Sequence, residues 1–255
     1  MKTVHTVISH LDPATVSGFL PFLGKLSPET RILCAYGGKR EYFEGIAWPD
    51  KFFLEDDSLR GPVRNQSYNE ILLKTCSTAS GQEADFFYFS EYDHFPLRRN
   101  YLGELCDLMA SQEFDLLGHS FFQANHTNWI HYLRYRDDME FKRFLGGMTR
   151  RGTVEPLYGM LGNGFMISRR ALEAFCAIPV HLQVYTEVYI PTVIHHLGFK
   201  AGKIDALTRL YEAVRYEPAY SYEEVIQLLR TGKSFCHPVK CVDRYAEIYK
   251  AVLES

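Results

Sequence analysis

Asp85-Phe86-Phe87-Tyr88-Phe89-Ser90-Glu91-Tyr92-Asp93-His94 is an apolar run that stops abruptly on two carboxylates and a histidine. Phe86 to Phe89 have the length and aromatic content of a short buried strand, which holds the backbone rigid up to the point where Glu91 appears. The acids therefore fall at the strand's C-terminal mouth. Open α/β sheets bind ligands there, because the loops diverge while the sheet fixes their roots. If the chain turns at Tyr92, with Phe95-Pro96 closing the turn, Glu91 and Asp93 converge on one hard cation, magnesium or manganese. Two acids in a loop are equally the mark of a solvated turn, so the rest of the chain decides between these readings.

The chain has 255 residues, 46% of them hydrophobic, which is enough for a sizeable core and excludes a disordered chain. Net charge is -3, and the basic residues lie in dispersed pairs such as Arg98-Arg99, Arg150-Arg151 and Arg169-Arg170. The basic footprint of a nucleic-acid binder is missing, so no such partner is expected. Strand-like residues start at Thr3 without a long apolar leader, and no stretch approaches membrane-spanning length. The expectation is a cytoplasmic protein without a transmembrane segment, with contact at the inner face of the membrane left open. Six cysteines, at 34, 76, 106, 176, 236 and 241, show no C-x-x-C spacing and read as reduced core residues. Cys236 and Cys241 flank His237, but no second cluster completes a zinc site.

Taken in order, Thr3 to Ser9 reads as a strand and Pro13 opens a helix running toward Lys25. Arg31 to Tyr36 is a second strand, Lys51 to Leu54 a short third, and Ser67 to Ala79 a helix that delivers the chain to Phe86. Leu102 to Ser111 follows as a helix and Phe114 to Gly118 as a strand. Asn125 to Phe144, aromatic and mixed in charge, reads as an inserted helical or lid-like element. Tyr158 to Ile167 is a strand interrupted by Gly162-Asn163-Gly164, where glycines indicate a bulge or a close approach of ligand to backbone. Helices are expected over Arg169 to Cys176 and Val188 to Leu197, the latter with Pro191 in its first turn. Leu207 to Tyr216 reads as a strand, Tyr222 to Arg230 as a helix, Ser234 to Val239 as an extended piece and Asp243 to Leu253 as an amphipathic helix. Strands alternating with helices predict an α/β fold, a mostly parallel sheet covered on both faces. No repeat or linker divides the chain, so one domain is expected.

This order of elements resembles the GT-A class of glycosyltransferases, the nucleotide-diphospho-sugar transferase fold. The resemblance covers most of the chain and rests on the early βαβ unit, on Glu91-Tyr92-Asp93 in place of the family's D-x-D, on Gly162 to Arg170, on Thr186-Glu187 and on His237-Pro-Val-Lys240. Glu replaces the first acid of D-x-D, and the E-D pair of many inverting members stands here as Thr186-Glu187. The resemblance implies one Rossmann-type domain: residues 1–100 form a nucleotide half, 101–233 a half for donor sugar and acceptor, and 234–255 a closing segment. It implies that Asp93 ligates the metal directly, that Glu91 stands beside it at the ribose or a metal-bound water, and that His237 is the third protein ligand, with Lys240 reaching the diphosphate. Ser9, His10, Asp56 and Arg64 are the implied nucleotide contacts. Asn163 and Gly164 would meet the donor sugar, and Glu187 would be the general base.

Local readings stand beside each of these. Asp56 and Asp57 could cap a loop and pair with Arg64 on the surface, Glu187 is also the acid a helix N-terminus favours, and His237 could be an ordinary cap histidine. The resulting expectation is a transferase dependent on Mn2+ or Mg2+. It would move a sugar from a nucleotide-diphosphate sugar, UDP-linked by preference, to a carbohydrate or lipid-linked glycan. A catalytically silent nucleotide-sugar-binding protein of the same fold, or a metal-dependent nucleotidyltransferase, is the alternative.

Overall fold

The computed structural model describes residues 1–55, 67–204 and 212–255, without the side chains of 67–70 and 212. Asp56, Asp57, Arg64 and residues 207–211 of the expected strand at Leu207 to Tyr216 lie outside the described residues. The elements run β1 (Thr3–Ser9), α1 (Pro13–Leu26), β2 (Thr30–Tyr36), α2 (Arg40–Gly45), β3 (Lys51–Phe53), α3 (Ser67–Ser80), β4 (Phe86–Glu91), β5 (Phe95–Pro96), α4 (Gly103–Ser111) and β6 (Leu116–Gln123). They continue with α5 (Ile130–Tyr135), α6 (Met139–Met148), β7 (Tyr158–Ser168), α7 (Arg169–Cys176), α8 (Thr186–His196), β8 (Ala201–Lys203), β9 (Glu212–Val214), α9 (Tyr222–Leu228), β10 (Phe235–His237) and α10 (Tyr245–Glu254).

Seven strands form one sheet in the order β3-β2-β1-β4-β7-β6-β8. Pairing is parallel except where β7 runs antiparallel between β4 and β6. This is the mostly parallel, mixed α/β sheet that the sequence predicts. β1 and β4 show why it is covered on both faces. Alternate residues point to opposite sides of a strand, and Phe86 and Tyr88 join one core with α1, α4 and α10, while Phe87 and Phe89 join the other with α3, α7 and α8. Burying a Phe side chain is worth about 1.5–3 kcal/mol, so a strand aromatic on both faces is committed to the sheet interior. His5 of β1 is paired to match: its Nδ1 lies 2.7 Å from Tyr101 Oη and Nε2 2.7 Å from Ser90 Oγ. Burial pushes this imidazole down to about 3, keeping it neutral.

The glycines of β7 form a bulge. Gly118 pairs with Phe165 and His119 with Leu161, so Gly162, Asn163 and Gly164 have no partner on β6. On the other side β4 pairs with β7 as far as Ser90 opposite Gly164. Gly162 and Asn163 thus leave the sheet beside Glu91, where β4 itself ends.

Two expectations resolve in the structure. Of the two alternatives for Asn125 to Phe144 the helical one holds: Tyr132, Tyr135 and Phe141 of α5 and α6, with Leu145 just beyond, are buried in the core against α8. Its mixed charge belongs to the outer face of core helices, as amphipathic spacing allows. Second, α8 starts at Thr186, with Tyr185 as its N-cap, so Pro191 falls inside the helix rather than in its first turn. The missing N–H removes the i→i−4 bond to the Glu187 carbonyl, and nearly every residue of α8 is buried, so packing outweighs that loss.

A second sheet, β5-β10-β9, stands at the mouth of the first. β10 pairs antiparallel with β5 through Phe235 opposite Pro96 and Cys236 opposite Phe95, and parallel with β9. Val239 N–H then donates to the Asp93 carbonyl at 3.0 Å. The segment late in the chain is thereby fastened directly to the acidic turn.

Candidate functional site

Ile8 of β1 pairs with Glu91, and His94 N–H donates to the Glu91 carbonyl at 3.1 Å. Tyr92 and Asp93 are therefore the tip of a tight turn strung between the two sheets. Asp93 is 1% exposed, and no backbone N–H donates to its carboxylate. What the carboxylate has is charge: Lys240 Nζ forms an ion pair with Oδ2, and His237 Nε2 lies 3.4 Å from Oδ1. Burial opposes ionisation of Asp93, but His237 and then Lys240 prevail and hold its carboxyl below the ordinary range.

His237 reaches this point as the last residue of β10. Its Nδ1 faces the Arg215 carbonyl at 3.2 Å. A carbonyl only accepts, so Nδ1 carries a proton, and Nε2 is the ring nitrogen turned toward Asp93 Oδ1. Ligand atoms of Glu91, Asp93 and His237 all lie within 4.8 Å of one another, the one such cluster among the described residues. Two carboxylates and an imidazole suit Mn2+ or Mg2+, and the buried carboxylate of Asp93, held between His237 and Lys240, fits such an ion.

On the other side of Glu91 the β7 bulge sets the geometry. Freed from β6, Gly162 N–H donates to Glu187 Oε1 at 2.9 Å, and a Cβ on Gly162 would sit 3.3 Å from Glu187 Cγ. Glu187 stands in the first turn of α8. Burial pushes its carboxyl up to about 7; the Gly162 bond pulls the other way, and the like charge of Glu91 adds to the rise. A cavity of about 230 Å3 opens between Glu91, Asn163, Tyr185, Glu187, Tyr216 and His237. A second, of about 520 Å3, is lined by Asp93 and Lys240 and shares Glu91, Tyr216 and His237 as its wall. The metal-competent cluster thus divides two lobes, one carrying Glu187 and the other Lys240.

The remaining sequence candidates separate. Ser9 ends β1, is buried and accepts from Leu11 N–H at 3.3 Å. His10 sets its ring edge-on to Tyr92 at 5.0 Å. Desolvation lowers its pKa, Lys240 adds to that, and Asp93 opposes it, so its ring lies in the field of the pair. Asn163 is 6% exposed, lines the smaller cavity, and its Oδ1 has no partner. Gly164 turns its bare face inward: a Cβ there would lie 2.7 Å from Tyr88 Oη and 2.9 Å from His94 Nε2, which are hydrogen-bonded to each other. Gly164→Ala is therefore expected to destabilise the fold by about 1–3 kcal/mol through overpacking, read from the urea midpoint; an unchanged midpoint would show that the pair yields freely.

Tyr185 and Tyr216 were not recognised in the sequence. Tyr185 precedes Thr186-Glu187 and its side chain also bonds Glu187, while Tyr216 is 76% exposed at the wall between the lobes. Only adjacency to Glu187 could have singled out Tyr185; Tyr216 is brought in by β9.

No family model matches the chain, and no curated protein does. Solved structures of the nucleotide-diphospho-sugar transferase fold do match. A mannosyltransferase from Pyrobaculum calidifontis in complex with GDP-Man and Mn2+ is 11% identical, covers 99% of this chain and 69% of its own, and gives a TM-score of 0.47. Glucosyl-3-phosphoglycerate synthase from Mycobacterium tuberculosis, in complex with Mn2+, UDP and glucosyl-3-phosphoglycerate, is 14% identical over 90% and 76% at 0.46. CMP:2-keto-3-deoxy-manno-octonic acid synthetase complexed with CTP is 10% identical over 80% and 90%, also at 0.46.

Proposed function

We propose that the protein is a metal-dependent glycosyltransferase that uses a nucleotide-diphosphate sugar and a glycan or glycolipid acceptor. The observation that carries this reading is the convergence of Glu91, Asp93, His237 and Glu187, from three separate parts of the chain, around one polar cleft. Glu91, Asp93 and His237 would hold Mn2+ or Mg2+, which supplies positive charge against a leaving diphosphate. Lys240, in the larger lobe, adds a second positive charge on the diphosphate side. In the smaller lobe, room for roughly eight waters at ~30 Å3 each suits a single sugar ring. Asn163 Oδ1 there accepts a hydrogen bond from a sugar hydroxyl. Glu187, held toward the cavity by Gly162 N–H, takes the acceptor's proton as its oxygen attacks the anomeric carbon. Its pKa near 7 suits a base that works at neutral pH.

A thermal-shift series of nucleotide sugars with and without Mn2+ tests this, since a ligand that binds only the folded state raises its apparent stability. The expected result is stabilisation by one nucleotide sugar in the presence of Mn2+, followed by release of the nucleoside diphosphate when acceptor is added. Binding without release in any acceptor would instead mark a silent sugar-nucleotide module. Release of pyrophosphate from a nucleoside triphosphate and a sugar phosphate would mark a nucleotidyltransferase.

A further inference from the structure

Lys240 occupies an unusual place for a residue of the diphosphate lobe. Its ammonium is paired with Oδ2 of Asp93, the buried carboxylate whose other oxygen faces Nε2 of His237. The side chain is 54% exposed, and its ammonium also lies 5.4 Å from the centre of the Tyr92 ring. The lysine is thus anchored at its tip while its stem is open to the lobe. The ordinary reading of such a pair is static charge compensation of a buried acid. The site argues for more, because the compensating charge sits on the carboxylate that a divalent cation needs.

We propose that Lys240 is a tethered counter-cation that competes with the divalent metal for Asp93 and is drawn off by the diphosphate of the incoming nucleotide. This rests on the metal-dependent reading above and deepens it to a binding order. With no nucleotide present, a metal ion entering between Glu91, Asp93 and His237 meets an ammonium a few ångströms away on a shared carboxylate, so repulsion weakens its binding. A diphosphate in the 520 Å3 lobe offers the ammonium two phosphate groups. Once Lys240 turns to them, Asp93 Oδ2 is released to the metal. Metal and nucleotide then favour each other's binding through the lysine as well as through direct contact, and the coupling is reciprocal. Its use is economy: the free protein does not hold a metal ion exposed to water, and the ion is seated only when there is a diphosphate for it to neutralise.

The decisive probe is Mn2+ alone, titrated into wild type, Lys240→Met and Lys240→Arg while free Mn2+ is followed by electron paramagnetic resonance. Lys240→Met is expected to bind Mn2+ on the order of tenfold or more tighter than wild type, and Lys240→Arg, which keeps the charge, to stay near wild type. UDP or GDP, whichever binds, should then tighten Mn2+ on wild type by a larger factor than on Lys240→Met. Equal or weaker Mn2+ binding by Lys240→Met overturns the competition, as does tight binding by Lys240→Arg. If wild type binds Mn2+ together with nucleotide but the methionine variant gains nothing alone, the competition fails and the metal site stands. If no protein binds Mn2+ under any condition, the metal-dependent reading fails and the competition with it.

Discussion

Glu187→Gln is expected to lower kcat by on the order of a hundredfold or more while leaving donor affinity close to wild type, because a general base acts in the transition state. The same variant is expected to be more stable than wild type at pH 8. With a chelator present, the Glu187 carboxyl titrates near 7 when folded against 4.5 for an unperturbed glutamate, burial being the main cause. The folded state therefore holds more protons than the unfolded one between these values, and stability falls as pH rises from about 4.5 to about 7. The full shift corresponds to roughly 3 kcal/mol; with screening by water in the cavity, about 2 kcal/mol remains. Glutamine keeps a carbonyl for Gly162 N–H and removes the ionisation, so urea unfolding at pH 8 should favour the variant by about 2 kcal/mol, with the gap closing toward pH 4.5. Equal stability at both pH values would place the carboxylate in water. Weaker donor binding with kcat preserved would make Glu187 a sugar-hydroxyl ligand, and a product that retains the donor's anomeric configuration would remove the need for this base.

Asp93→Asn is expected to reduce Mn2+ affinity in the presence of nucleotide by on the order of a hundredfold or more, at the upper end of losses seen around metal sites. The substitution is nearly isosteric and keeps the backbone carbonyl that receives Val239 N–H. The fold should therefore survive, and near-native circular dichroism is the control. What disappears is the one buried negative charge that faces both His237 and Lys240. An amide in its place can donate to His237 Nε2 and satisfy it without a cation. Calorimetric titration of Mn2+ into the nucleotide complex checks this, and unchanged affinity would dismiss Asp93 as a ligand.

The parts of the fold legible in the sequence were those with a strong local signal. β1 and α7 begin and end where strand residues and the Ser168 cap place them, and Gly162 to Gly164 announced the bulge that frees an N–H for Glu187. The acids at the end of β4 were legible because an apolar run long enough to be a strand stopped on them. β8 is three residues and β5 two, too short for any period to register, and β9 and β10, three residues each, are the paired parts of longer stretches read as extended. Their pairing is decided by tertiary contact, as with Phe235 buried among Tyr88, His94 and Tyr101. For the same reason the packing of Gly164's bare face against Tyr88 and His94 was not legible, and Tyr216, read as strand sequence, has its ring exposed at the cleft.

The small sheet also carries a consequence for how the protein comes into being. β5 follows the two carboxylates directly, yet its partner β10, which brings His237, lies roughly 140 residues further along the chain. Pairings of such separation form late, because the intervening chain must first be ordered. A growing polypeptide that has already exposed Glu91 and Asp93 therefore has no His237 to set opposite them and no β10 to pair with β5. On the metal-dependent reading proposed above, affinity for a divalent ion would then arise only with the arrival of β10. On that reading a chain stopped short of Phe235 should neither sequester the ion nor bind a nucleotide through it.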